Sequence, residues 1–422
     1  MLIRFEVSNF RSIRHPVELS MVAVDEDRLE AHSHPNLGVS LVPVAAIYGP
    51  NASGKSNVLA AFEWFREAVR DSLRFWDDGI PLQPFAFDNV KHPTEFSVET
   101  VVAGVRFEYV LELDAEAVHY EGLFHYPEKK RRRIFEREGS ELTLQRGLGH
   151  LSGIRELLTD RALALSIARR FDEPLVSNFA RDLLRAQMLG NQTLPRWGRR
   201  VLAGSNTRRW FEDQPDRTQA VLPGFEDVVG GAEADRAEAL AMLRMADLGI
   251  DDVVIDKQLD ADASNRERTR VRLIHRTADG RMPLEFASES DGTRTWFALI
   301  GPVLTALRDG SLVVFDELDA SLHPMLSTQL IRLFHDPATN PLGAQLIFSS
   351  HDTSLLNHLN RDQVWLTEKL EDGATRLGAL AEFAGERVRK SQNLEKAYLH
   401  GRFGALPDVD RTEMLRALGL IG

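Results

Sequence analysis

Gly49-Pro50-Asn51-Ala52-Ser53-Gly54-Lys55-Ser56 has the G-x-x-x-x-G-K-[ST] spacing of a phosphate-cradling loop. Such a loop turns backbone N–H groups toward one point, and the N-terminus of the following helix adds the positive end of its dipole. Gly49, Asn51, Ser53 and Gly54 would form the cradle for a nucleoside triphosphate. Lys55 would place a point charge on the β- and γ-phosphates, and Ser56 would complete a Mg2+ shell with its hydroxyl. Far along the chain, Leu312-Val313-Val314-Phe315 runs into Asp316 and Glu317. In a P-loop enzyme the first carboxylate of such a pair holds Mg2+, directly or through water. The second stands where a general base or water-orienting group is needed. Alone, the pair would be an ordinary acidic strand end; with the glycine loop it reads as the other half of a site.

Other residues join these two less directly. Ala344 to Ser350 is an apolar run closed by His351. Most single histidines are structural. This one would end a strand beside the Asp316 strand, near the carboxyl edge where ligands sit in open α/β sheets. Ser290-Asp291-Gly292-Thr293 opens a helix and offers a hydroxyl and N–H groups to an anion. Alone, it is better explained as an ordinary N-cap; its place in the series of motifs raises the site reading.

These residues need particular elements to hold them. Val44 to Tyr48 reads as a buried strand, and Asn57 to Val69 as a helix with Val58, Phe62, Phe65 and Val69 on one face. Met1 to Val7 alternates as a strand does, and is not a signal peptide. Ala103-Gly104, between Phe96–Val98 and Val105–Leu111, marks a hairpin. A second hairpin spans His119 to Arg137 and carries Lys129-Lys130-Arg131-Arg132-Arg133. That run is either a solvated strand edge or a contact to a DNA backbone. Ile154–Leu158, Ala162–Arg170, Phe179–Leu189 and Ala234–Leu248 read as helices, broken at Pro174, Gly190, Pro195, Pro223 and Gly230-Gly231. Strands return at Val253–Ile255 and Val271–Ile274.

The expected division is therefore 1–150, a lobe with the glycine loop; 151–250, a helical insertion; 251–370, a lobe with the remaining motifs; and 371–422, a C-terminal segment. Composition narrows the class further. The 422 residues include no cysteine, which excludes a disulfide framework and a Cys-based zinc site. No apolar run reaches membrane-spanning length, so a cytoplasmic protein is expected. A net charge of −12 argues against a surface wholly coated by nucleic acid, though not against a local basic patch.

The order of these motifs resembles the ABC-type ATPase heads of SMC and RecF proteins, and Asn9-Phe10-Arg11-Ser12 resembles their N-terminal signature. The chain is more similar still to the bacterial AAA15 group, which includes RloC and abortive-infection AbiL-like ATPases, relatives of OLD proteins. The resemblance is carried by Glu289–Thr293, Asp316–Pro324, Gln345–Asp352, Arg361-Asp362-Gln363 and Tyr398–Pro407. It implies an α/β P-loop NTPase of ABC/SMC-head type, with a mixed β lobe, an α/β lobe and a helical insertion.

The resemblance also implies roles for individual residues. Two copies would close head-to-tail on two ATP molecules, each with Mg2+. Lys55 and Ser56 of one would then face Ser290 and Gly292 of the other. Arg11 would help hold nucleotide, Gln83 would be a Q-loop metal ligand, Glu317 would polarise the attacking water, and His351 would touch the γ-phosphate. The chain departs from the transporter pattern at Glu289 and Asp291, and at Leu322-His323 after the Asp316 motif. The expected function is a nucleotide-driven regulator of a separate effector, such as a nuclease or Toprim-like protein, in abortive infection. A RecF-like DNA-repair ATPase and a non-hydrolysing scaffold are the alternatives.

Overall fold

The computed structural model describes residues 1–26, 28–34, 36–88, 90, 92–190, 205–212, 229–259, 267–384 and 394–400. Gly401–Pro407, Pro195 and Pro223 lie outside them.

The chain opens with strand β1 (Leu2–Ser8), antiparallel to β2 (Val17–Ser20). A short ribbon follows, β3 (His32–His34) with β4 (Val39–Leu41). β5 (Val44–Tyr48) is buried at every position, as expected of a strand covered on both faces. The glycine loop then leads into helix α1 (Lys55–Phe75), longer at both ends than its sequence pattern suggests. Its apolar face meets the first sheet, with the Phe62 ring edge-on to Phe5 at 5.3 Å and Trp64 stacked on Phe96 at 5.0 Å.

A meander comes next: β6 (Thr94–Val102), β7 (Val105–Leu113), β8 (Val118–Tyr126), β9 (Arg132–Glu138) and β10 (Glu141–Leu144). Together with β1 and β2 it makes a seven-stranded antiparallel sheet in the order β10-β9-β8-β7-β6-β1-β2. Ala103 and Gly104 form the expected turn, both with positive φ, 49° and 78°.

The expected helical insertion covers 151–250. Helices α2 (Ala164–Ala168) and α3 (Pro174–Arg185) pack into the same core as α1 and the first sheet. Phe179 stacks on Tyr109, with ring centroids 6.0 Å apart. Leu189, expected in a helix, lies in strand β11 (Gln187–Gly190), which pairs in parallel with the Asp316 strand. The run Gln-Met-Leu-Gly is too short for its periodicity to separate strand from helix; its neighbour decides.

Helix α4 (Val229–Ala246) and the three strands β12 (Ile250–Leu259), β13 (Glu267–Thr277) and β14 (Gly280–Glu285) lead to helix α5 (Asp291–Asp309). The fully buried Trp296 of α5 donates its indole N–H to the Met242 carbonyl at 2.6 Å, fixing α5 on α4. Then come β15 (Leu312–Asp316), α6 (Pro324–His335), β16 (Gln345–Ser349), β17 (Val364–Lys369) and β18 (Thr375–Ala379). The second sheet has the order β11-β15-β16-β5-β17-β18, parallel except for the last pair. The expected boundary at 370 falls within the β17–β18 hairpin.

Sheet order decides the site. β16 lies between the glycine-loop strand β5 and the carboxylate strand β15. At the other end of β16, buried Gln345 accepts from Leu2 N–H at 2.5 Å and donates to the carbonyls of Leu2 (3.0 Å) and Val42 (3.3 Å). One side chain thereby ties the two sheets together.

Candidate nucleotide site

The loop between β5 and α1 needs glycine at two places. Gly49 has φ 154°, and a Cβ there would stand 2.3 Å from Thr367 Oγ1; Gly54 has φ 104°, and its Cβ would stand 2.0 Å from Thr375 Oγ1. Both neighbours are buried threonines, on β17 and β18. They also hold the loop. Thr367 Oγ1 is 2.6 Å from Ser53 Oγ, and Thr375 Oγ1 donates to the Ser53 carbonyl at 3.0 Å. The chain of hydroxyls extends outward through Ser12, 2.7 Å from Thr375 Oγ1, to which Asn57 Nδ2 donates at 2.6 Å. Sequence reasoning gave no role to Asn57, Thr367 or Thr375, and none to the Ser12 hydroxyl beyond its place in the N-terminal signature. The register of β17 and β18 places the two threonines, and no local spacing signals it.

Lys55 begins α1, and its buried ammonium donates to the carbonyls of Gly49 (2.9 Å) and Pro50 (3.1 Å). Burial lowers its pKa, while the carboxylates of Asp316, Asp319 and Glu317 oppose that shift. Ser56 Oγ donates to Asp316 Oδ1 at 3.0 Å. The two expected Mg2+ ligands therefore stand together, as hard oxygen donors few enough to leave the ion its waters, and the donor set fits Mg2+.

Glu317 follows at the end of β15, half-buried and left-handed, with φ 56° and ψ 59°. Ser349 joins the two carboxylate residues: it donates to Asp316 Oδ1 at 2.6 Å and accepts from Glu317 N–H at 2.8 Å. Two residues on, the exposed His351 donates its backbone N–H to Asp319 Oδ1 at 3.0 Å. Lys55, Ser56, Asp316, Glu317 and His351 thus meet along the carboxyl edge of β5, β15 and β16.

Gln83, the expected Q-loop ligand, is paired with Arg11. Its amide oxygen accepts from Arg11 Nε at 2.8 Å, and its carbonyl accepts from Arg11 N–H at 2.7 Å. Arg11 itself is near the start of α1, 3.5 Å from Asn57 Oδ1. Burial lowers the pKa of its guanidinium, with Glu63 opposing. Ser290 caps its own helix, accepting from Thr293 N–H at 3.1 Å. Among the described residues no hydrogen bond joins Ser290 or Gly292 to the glycine loop of the same chain. Glu289, the departure just before Ser290, is buried and lies 2.7 Å from His275 on β13, which anchors that turn to the small sheet.

Two other motifs have partners within the chain. Asp362 is buried and accepts from Val24 N–H (2.8 Å) and from Arg28 (2.6 Å), pinning the loop after β2. The basic run lies at the β8–β9 turn and the start of β9, an interior hairpin of the sheet rather than its edge. Its arginines are engaged: Arg131 with Glu108 (2.9 Å), Arg132 with Glu128 (3.3 Å) and Arg133 with Glu136 (2.8 Å).

Residues 44–357, which span the loop, the carboxylates and His351, match the family described as "AAA domain, putative AbiEii toxin, Type IV TA system". The chain belongs to this AAA-domain family. Nucleotide and Mg2+ are the general equipment of such P-loop domains, as the site's donors suit. Solved structures similar to this AAA-domain chain include the Smc head bound to the C-winged helix domain of ScpA. That likeness has 11% identity and a TM-score of 0.45, over 90% of this chain and 97% of the other. The SMC head domain from Thermotoga maritima is similar at 14% identity and TM-score 0.41, over 90% and 98% of the two chains. The Smc head with an extended coiled coil, bound to the C-terminal domain of ScpA derived from Pyrococcus furiosus, is similar at 12% and 0.42, over 95% and 98%. No curated protein matches the chain. Among the described residues no helix is long and apolar enough to cross a membrane.

Proposed function

We propose that this protein is an ATPase that uses Mg2+ and acts as a nucleotide-driven regulator of a separate effector, such as a nuclease, in abortive infection. The observation that carries the ATPase reading is the meeting of Ser56 and Asp316 at 3.0 Å, with Glu317 next in sequence. Lys55 binds the β- and γ-phosphates, and the backbone of Gly49 to Ser56 wraps them. Glu317 accepts the proton of the attacking water. Its half-buried position suits a base that must be partly desolvated yet reach solvent. His351 senses the γ-phosphate, and Arg11 contacts nucleotide from the turn after β1, beside the start of α1.

Ser290 and Gly292 act on nucleotide held by a second copy, closed head-to-tail. Ser290 caps its own helix and, among the described residues, makes no hydrogen bond to the chain's own glycine loop, which suits a role in trans. The defence setting rests on the family description, which names a toxin and a Type IV TA system. The RecF-like reading is weakened because Arg131, Arg132 and Arg133 already pair with glutamates.

Turnover and a pull-down from the native host test both levels. Wild type should release phosphate from MgATP, and Glu317→Gln should not. The Glu317→Gln form should retain an effector that the Lys55→Ala form loses. Absence of turnover in the wild type sinks the ATPase reading; recovery of DNA-repair factors instead of an effector sinks the defence reading.

A further inference from the structure

Ser349 is fully buried at the end of β16, between the strands that carry the glycine loop and the carboxylates. A hydroxyl has one proton to give and two lone pairs to offer. Here the proton goes to Asp316 Oδ1 at 2.6 Å, and a lone pair takes the N–H of Glu317 at 2.8 Å. Glu317 holds φ 56° and ψ 59°, a region that crowds any residue with a Cβ. Such a backbone persists only where its surroundings over-determine it. The His351 N–H on Asp319 Oδ1, at 3.0 Å, fastens the same loop two residues further on.

We propose that Ser349 is a positioning residue: its hydroxyl bridges Asp316 and the Glu317 backbone, holds Glu317 left-handed, and so sets where the Glu317 carboxylate points. The inference rests on the reading of Glu317 as the base. Only a group that donates and accepts at once serves the bridge. Alanine does neither, a thiol does both weakly, and threonine keeps both. In a fully buried position water does not stand in for the lost hydroxyl.

Full-length Ser349→Ala, Ser349→Cys and Ser349→Thr decide the matter in two measurements. Crystal structures read the backbone directly: φ at Glu317 should leave the left-handed region in the Ala and Cys forms and remain in the Thr form. An unchanged φ in Ser349→Ala overturns the proposal, and Ser349→Cys, which keeps the volume, serves if the Ala form does not fold. Kinetics with MgATP should show kcat lower by about 10- to 100-fold in Ala and Cys, as for other supporting contacts to site ligands. KM should move by no more than about threefold, with Thr near wild type. A raised KM at wild-type kcat also overturns it. If Glu317→Gln turns over ATP at the wild-type rate, the reading of Glu317 fails instead, and φ at Glu317 alone decides the role of Ser349.

Discussion

The Ser56 hydroxyl donates to Asp316 Oδ1 across 3.0 Å of space and 260 residues of sequence. The bond joins the first turn of α1 to the end of β15, and β16, which carries Ser349, lies between their strands. Two oxygens so placed are what a small, hard cation requires, and their approach depends on the parallel order of the second sheet.

Replacing Glu317 by Gln keeps the shape of the side chain and removes its capacity to take a proton. The variant is expected to bind ATP and turn it over at least about 100-fold more slowly. Size-exclusion chromatography with ATP should show doubled mass relative to Lys55→Ala. Turnover at the wild-type rate would falsify the assignment of Glu317 as base.

Ser290→Arg should leave ATP binding by the isolated subunit intact and abolish hydrolysis, because bulk at Ser290 blocks only the closed dimer. Mixed with Lys55→Ala, it should regain up to half the activity per mixed dimer, since both lesions then fall in one site. If Ser290→Arg alone hydrolyses ATP normally, Ser290 has no role across a dimer.

Gly54→Ala should lose ATP binding. The added methyl would meet Thr375 Oγ1 at 2.0 Å, in a backbone at φ 104° that alanine resists. Titration with a fluorescent ATP analogue measures it. Binding within about twofold of wild type would show that the loop deforms freely.

Glu121 and Arg137 are fully buried 3.8 Å apart, and Glu121 also accepts from Ala164 and Leu165 N–H at 2.6 and 2.7 Å. Glu121→Ala should cost about 3–5 kcal/mol in urea unfolding, because it strands the Arg137 charge. Burial raises the Glu121 carboxyl above its ordinary 4.5, outweighing Arg137 and the hydrogen bonds that lower it. Its contribution is therefore fully present below pH 4.5 and is lost as pH rises through the raised folded value. Stability of Glu121→Gln should be flatter across that window, and parallel pH curves would refute the assignment.

The basic turn gives the gentlest expectation. Arg131 stacks over Phe124 at 3.4 Å and pairs with Glu108, yet is half exposed, so Arg131→Ala should cost about 1 kcal/mol or less. Replacing Lys129 to Arg133 by serine should leave ATP turnover unchanged. In filter binding at two salt concentrations, a drop in DNA affinity with a shallower salt slope would restore the DNA reading.

The glycine loop, Asp316, Glu317 and His351 were legible in sequence because each is local: a spacing, or a polar residue ending an apolar run. Ser349 carried a faint signal of the same kind, a hydroxyl closing the run Gln345 to Phe348. Thr367 and Thr375 carried none, since their nearness to Gly49 and Gly54 depends on which strands are neighbours. The same cause hid the pairing of Gln83 with Arg11, which comes from another turn. It also hid β11, whose residues take their conformation from β15. Gly190 makes the point, for a Cβ there would stand 2.0 Å from the Asp316 carbonyl.

Gln345 and Ser349 sit at opposite ends of β16, roughly 13 Å apart at about 3.3 Å per residue. One end is riveted to Leu2 and Val42, the other to Asp316 and Glu317. The strand is thus a short rigid tie: from Leu2 of the antiparallel sheet to the backbone of Glu317, the connection runs through side-chain hydrogen bonds and one extended strand, with no loop between.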